Sequence, residues 1–150
     1  MRDTDMLNQF LIGGIVSICN ITIHALVMTV VVRVAQSTST KNTSRPSLLL
    51  ASVMIATVSV LMVAHACEVI VWAGAYRIVG AAPVSSNLVY FAFVNYTTLG
   101  YGDVIPVPDW QLLGPMTAMN GVLLFGWSTA VIFEVLRRTM MRVSHQGMFE

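Results

Sequence analysis

The sequence predicts an all-α integral membrane protein: three spanning helices, with a short helix and an irregular loop dipping into the bilayer between the second and third. Three observations predict it. Of the 150 residues, 56% are hydrophobic and only 10% are charged, with a mean hydropathy of +0.75, a composition suited to lipid. The charges are also bunched, leaving three long stretches almost free of them. Between the last two stretches lies a run of glycine, hydroxyl, aromatic and acidic residues that has no place in an ordinary spanning helix.

No Asp, Glu, Lys or Arg occurs from Met6 to Val32, only Glu68 from Leu48 to Tyr76, and only Glu134 from Trp110 to Leu136. Each stretch holds the ~20 apolar residues a helix needs to cross ~30 Å of hydrocarbon. Spans are therefore expected at roughly Leu7 to Val32, Leu48 to Ala73 and Gln111 to Leu136. The first begins Met1-Arg2-Asp3-Thr4-Asp5 and runs long, whereas a cleaved signal peptide opens with a positive stretch and has a short apolar core. Arg33, Lys41 and Arg45 follow the first span and Arg137, Arg138 and Arg142 the third, while only Arg2 and Arg77 fall on the other side. An excess of basic residues marks the cytoplasmic face. The expected topology in a plasma membrane (the bacterial inner membrane) is N-terminus outside, C-terminus cytoplasmic, and Gly74 to Asp109 facing outward. Residues 36–47, QSTSTKNTSRPS, read as a polar linker. Cys19 and Cys67 lie inside spans without C-x-x-C spacing, so neither a disulfide framework nor a zinc site is suggested.

Ser85 to Tyr96, SSNLVYFAFVNY, is an apolar and aromatic run opened by helix-capping residues just after Pro83. A helix there is roughly 16 Å long at 1.5 Å per residue, too short to cross. With both flanks outside, the chain must dip in and return, and non-helical backbone at membrane depth survives only when buried in protein or lining water. Thr97 to Asp103, TTLGYGD, is that backbone. Gly100 and Gly102 open dihedrals closed to residues with a Cβ, so successive carbonyls can turn to one side. A row of carbonyl oxygens can replace the water around a cation, and the C-terminal end of the short helix adds partial negative charge near the bilayer centre. One strand cannot surround an ion. The segment occurs once, so closure calls for a symmetric ring of chains.

Thr97-Thr98-Leu99-Gly100-Tyr101-Gly102-Asp103 resembles the selectivity filter of potassium channels. The resemblance implies a homotetrameric pore in which the carbonyls of Thr98, Leu99, Gly100 and Tyr101, with the Thr98 hydroxyl, hold K+ as the transported ion, Gly102 completing the filter. It implies that the Tyr101 ring packs on the short helix, where Tyr90 and Phe91 stand in place of a common tryptophan pair. Thr97 and Asp103 also support the filter, Asp103 tying the outer mouth to the pore helix. Leu99 replaces the usual valine, a conservative change because a backbone oxygen binds the ion. Asp103 to Trp110, DVIPVPDW, is similar to the link into the inner helix. Gly121 and Phe125-Gly126 are similar to the small residues that let inner helices bend or approach. The match runs from Asn87 to Leu136, with the second span as outer helix. The first span has no counterpart in the simplest two-helix channels, so the chain resembles a small prokaryotic two-helix pore-domain channel with one additional N-terminal helix. The implied organisation is an extra helix and linker over 1–47, a pore domain over 48–137 and a short tail over 138–150. Within the pore domain the outer helix is 48–73, the pore helix 86–97, the filter 98–103 and the inner helix 110–137.

Ionisable residues inside spans mark function by default. Glu68 and His65, three apart, share a helix face and admit three readings: bracing of the pore helix, proton-linked gating, or metal binding together with His24. Glu134 precedes Arg137 and Arg138 at ion-pairing spacing, against an alternative acidic ring at the inner mouth. Asn120 lines a water-filled cavity or bonds a neighbouring helix. Gly114-Pro115 kinks the third span or marks its start. The ten methionines are scattered and read as packing. No nucleophile with a base, phosphate loop or basic aromatic patch is present, so an enzyme, a nucleic-acid or nucleotide partner and an organic cofactor find no support. No arginine ladder in the first two spans suggests a voltage sensor. The alternatives to a potassium channel are a non-selective cation channel and a non-conducting metal-binding or accessory protein built on His65, Glu68 and His24.

Overall fold

The computed structural model describes residues 3–38 and 46–146; the middle of the expected linker, with Lys41 and Arg45, and the end of the expected tail lie outside the described residues. All the elements are helical: α1 (Asp3–Thr38), α2 (Pro46–Val79), α3 (Leu88–Tyr96), a 3-10 turn (Pro108–Trp110) and α4 (Leu113–Gln146). Three stretches, Met6–Ala35, Ser47–Val79 and Pro108–Met141, are long and apolar enough to cross a membrane.

The three long helices overrun the apolar windows at their C-terminal ends. α2 continues past Ala73 to Val79 because Trp72, Ala73 and Tyr76 remain buried in protein, so packing rather than hydropathy sets its end. Gly80 then takes φ 66, and the Ala81 N–H donates back to the Tyr76 carbonyl at 3.0 Å, the left-handed turn with which helices commonly stop. Of the capping residues before α3, Asn87 does the work: its side-chain oxygen accepts from the Tyr90 N–H at 3.1 Å. Gly114-Pro115 lies in the first turn of α4, where proline forfeits no helical bond, so the pair marks a start and not a kink. Gln9 of α1 accepts from the Leu112 N–H at 2.8 Å just ahead of that start.

α1 packs against α2 and α4, and α3 packs against the same two helices. One core, built from Val69, Trp72, Tyr76, Phe91, Tyr96 and Leu113, joins α2, α3 and α4. A smaller one around Val31, Val53 and Val135 joins the far ends of α1, α2 and α4. The excursion that carries α3 is closed at its base by the Val107 N–H donating to the Ala81 carbonyl at 2.9 Å. α3 descends from there, and its last residue, Tyr96, bonds Glu68 of α2, ~16 Å along the helix from Val79 at 1.5 Å per residue.

Where α3 ends, α4 crosses it backbone to backbone. A Cβ on Gly121 would sit 2.1 Å from the Tyr96 carbonyl oxygen, an overlap no rotamer relieves. Gly121→Ala is therefore expected to lower the thermal midpoint of the detergent-solubilised protein, the cost of about 1–3 kcal/mol for overpacking exceeding the helix-propensity gain of ~1 kcal/mol. Gly126→Ala, with nothing within 4 Å of the added methyl, should leave the midpoint unchanged or raise it. Equal behaviour of the two variants would refute the close approach.

Candidate functional site

The loop after α3 begins with the same device that ends α2, built from a different residue. Thr97 caps the helix at φ −83; the Thr98 N–H donates to the Asn95 carbonyl at 3.0 Å and the Leu99 N–H to the Val94 carbonyl at 2.9 Å. This is the Schellman pattern, which places its left-handed residue at position 98. At α2 that residue is Gly80; here it is Thr98, at φ 60. A β-branched residue is a genuine outlier there, at a cost of order 1–3 kcal/mol.

The left-handed turn then repeats at every second residue: Gly100 has φ 59 and Gly102 φ 75, while Leu99 and Tyr101 keep negative φ. Alternation between the two hands is the backbone pattern that gathers N–H groups on one edge and carbonyls on the other. A carbonyl edge can coordinate a cation stripped of water. The loop lies open on the single chain, with Leu99 53% and Tyr101 69% exposed, so the Tyr101 ring does not find cover on its own α3. Thr97 bends its hydroxyl back onto the Phe93 carbonyl at 2.8 Å. Tyr90 and Phe91 diverge. The Tyr90 hydroxyl donates to Asp103 Oδ2 at 2.7 Å, a strap between α3 and the end of the loop, whereas Phe91 is buried with its ring 4.9 Å from that of Tyr76.

Behind the loop, side chains from all four α-helices meet at Glu68, which has no exposed surface. Its Oε1 lies 2.7 Å from His24 Nδ1 of α1 and its Oε2 3.0 Å from His65 Nδ1 of α2. The Tyr96 hydroxyl donates to Oε2 and lies 2.9 Å from His65 Nδ1. Ser128 of α4 closes the cluster, its Oγ 2.9 Å from His65 Nε2 and 3.3 Å from His24 Nε2. One turn outward, Asn20 Nδ2 donates to the Glu68 main-chain carbonyl and to Asn120 Oδ1, both at 3.2 Å, and Trp72 Nε1 donates to the same oxygen at 3.0 Å. A further polar bridge joins the Tyr76 hydroxyl to Thr117 at 2.6 Å and to Asn95 at 3.3 Å.

Of the residues singled out in the sequence, His24, His65 and Glu68 come together, and Thr97 to Asp103 form one loop strapped to Tyr90. Asn120, 1% exposed and bonded to Asn20 and Trp72, joins helices and does not line a cavity. Glu134 is held by Arg137 Nε at 2.8 Å, by Arg137 Nη2 at 2.9 Å and by Arg138, the local ion pair. Gly126 makes no close approach. Tyr96, Ser128, Asn20 and Trp72 also belong to the junction, and sequence spacing does not pair them with it. Asn20 carried a signal, a polar residue four positions before His24 in an apolar span, where polar side chains face protein.

A protein family described as ion channel matches residues 64–138, half of the chain. This chain belongs to that ion-channel family. The matched stretch holds the C-terminal half of α2, all of α3, the loop and most of α4, so the channel unit contains His65, Glu68 and Tyr96 but leaves α1 outside. No curated protein and no solved structure matches the chain.

The Asp103 carboxylate, accepting the Tyr90 hydroxyl hydrogen, raises that phenol above its ordinary value of 10.0. A raised folded-state value means that the strap's stabilisation is fully present below pH 10 and is lost as pH rises through the folded value. NMR titration of ring-labelled tyrosine should show Tyr90 ionising late, and Asp103→Asn should return it toward 10.0. Tyr90 ionising at its ordinary value with Asp103 intact would contradict the strap.

Proposed function

We propose that this ion channel is potassium-selective, assembled from four copies that meet at residues 98–102, and passes K+ passively down its gradient through the plasma membrane. The observation that carries the reading is the alternation of φ along Thr98, Leu99, Gly100, Tyr101 and Gly102. It supports a carbonyl edge supplied by Thr98, Leu99, Gly100 and Tyr101, joined by the Thr98 hydroxyl. One chain offers such an edge on one side of an ion, and a ring of chains surrounds it. The exposed Leu99 and Tyr101 side chains find cover in that ring. α3 serves as the pore helix and α4 as the inner helix, with Gly121 allowing their approach. The Tyr90–Asp103 strap stands at the outer mouth, and Arg137, Arg138 and their partner Glu134 stand on the cytoplasmic side, with the N-terminus outside. The reading requires the bilayer and further copies of the chain, and no organic cofactor, nucleotide or nucleic acid.

Purified protein in liposomes is expected to carry K+ well ahead of Na+. Gly102→Ala, which forces a Cβ into the left-handed region at about 1–2 kcal/mol, should lower K+ flux about tenfold or more, and crosslinking should give a four-chain band. Equal K+ and Na+ fluxes would assign a non-selective cation pore. Flux unaffected by Gly102→Ala would remove the loop from the conduction path.

A further inference from the structure

We propose that His24, His65 and Glu68, with the Tyr96 hydroxyl, bind one divalent transition-metal ion of the zinc class, which joins α1, α2 and α3 behind the loop. Donor atoms of the two histidines and the carboxylate all lie within 4.8 Å of one another. The Tyr96 oxygen, 2.9 Å from His65 Nδ1 and bonded to Glu68, stands in a fourth position. Two imidazole nitrogens, a carboxylate and one more oxygen form a mixed set that suits tetrahedral zinc. Zinc bonds of ~2.0–2.1 Å separate tetrahedral ligand atoms by ~3.3 Å. The present spacings, 2.7 Å from His24 Nδ1 to Oε1 and 3.0 Å from His65 Nδ1 to Oε2, would open by about 0.3–0.6 Å as the carboxylate turns one oxygen to the metal.

Counting hydrogens favours a cation. Both Nδ1 atoms face Glu68 and both Nε2 atoms face the same Ser128 oxygen. If each Nδ1 gave its hydrogen to the carboxylate, both Nε2 atoms would be acceptors competing for one hydroxyl hydrogen; if His65 carried its hydrogen on Nε2 instead, the single Tyr96 hydrogen would have to serve both His65 Nδ1 and Glu68 Oε2. A buried acceptor left without a donor is costly. With a metal on the two Nδ1 atoms, both rings carry hydrogen on Nε2, and the two lone pairs of Ser128 Oγ accept both. Metal-ligating histidines are held in this way by outer-shell acceptors. The cation also balances a carboxylate with no exposed surface. The titratable groups facing the cluster are His24 from α1, His65 and Glu68 from α2 and Tyr96 from α3. α4 contributes Ser128 and the Trp127 ring, 5.4 Å from that of His24, and neither brings a charge. An added proton would balance the charge with one imidazole, but two imidazoles turning the same atom to the same carboxylate make a chelate.

The proposal is independent of which ion the channel conducts, because its test reads metal bound to the purified protein. Full-length protein prepared with a tag lacking histidine, and without chelator, should hold about one zinc-class ion per chain by elemental analysis. Zinc returned to chelator-stripped protein should raise its thermal midpoint by several degrees. His24→Gln and Glu68→Gln should lose the ion. Ser128→Ala keeps every ligand and should weaken affinity about 10- to 100-fold, which guards against variants that fail to fold. Well-folded protein that neither retains metal nor responds to zinc would overturn the proposal, as would metal retained in both His24→Gln and Glu68→Gln. A metal-free protein whose flux varies with pH until Glu68 is replaced would assign a proton to the site instead.

Discussion

Glu68 is a carboxylate with no exposed surface at the point where α1, α2, α3 and α4 meet, and the placing of the loop follows from keeping it partnered. An uncompensated buried charge costs several kcal/mol, and no bulk water reaches the hydrocarbon to relieve it. Because its partners come from α1, α2 and α3, and Ser128 of α4 bonds the two histidines among them, none of these helices can slide by a turn without breaking the set. Tyr96 is fixed twice over, its hydroxyl by Glu68 and its backbone by the close passage of Gly121. The loop starts at the next residue, so its depth and direction are inherited from this clamp.

A clamp is needed because the loop is strained. The Schellman turn after α2 uses Gly80, for which a positive φ carries no Cβ penalty. The turn after α3 uses Thr98 at nearly the same angle, 60 against 66. The strain persists because the flanks are held, by Tyr96 before it and by the Tyr90–Asp103 bond after it. What threonine brings to the proposed pore is a hydroxyl beside its own carbonyl. In the proposed pore a backbone already turned avoids reorganising when an ion arrives, which is the benefit of preorganisation. The strain thus falls on a residue that the proposed pore uses.

Most of the architecture was legible because the bilayer imposes strong rules. Charge-free windows revealed the three long helices, and a helix too short to cross, next to glycine-rich backbone, revealed the excursion. Hydropathy does not mark a helix end where burial in protein continues the helix past the apolar window, as at Tyr76. Asn87 was one of three adjacent residues able to cap α3, and local sequence does not choose among them. Polar contacts were less legible still. His65 and Glu68 share a helix face and could be paired from spacing, but Tyr96, Ser128 and Asn20 reach them across sequence separations of 28 to 63 residues. Asn120 was open between water and a neighbouring helix until the position of Asn20 was known. Periodicity tells which face of a helix is buried, not which side chain stands opposite.

The same reasoning decides what α1 is. Family similarity covers residues 64–138 and leaves it out, which would suit an appended anchor. An anchor needs only an apolar surface toward lipid, and α1 has one in residues such as Ile15, Ile18 and Leu26. Yet Gln9, Asn20 and His24 on α1 are each fully buried, and each bonds the channel unit at a different level: Leu112 ahead of α4, the Glu68 main chain with Asn120, and the Glu68 carboxylate. Polar groups of this kind are expensive at membrane depth unless partnered. Removing α1 would bare the Glu68 and Asn120 groups it now covers. α1 is therefore part of the structure that holds α3 in place, and the functional unit of this chain is larger than the segment by which its family is recognised.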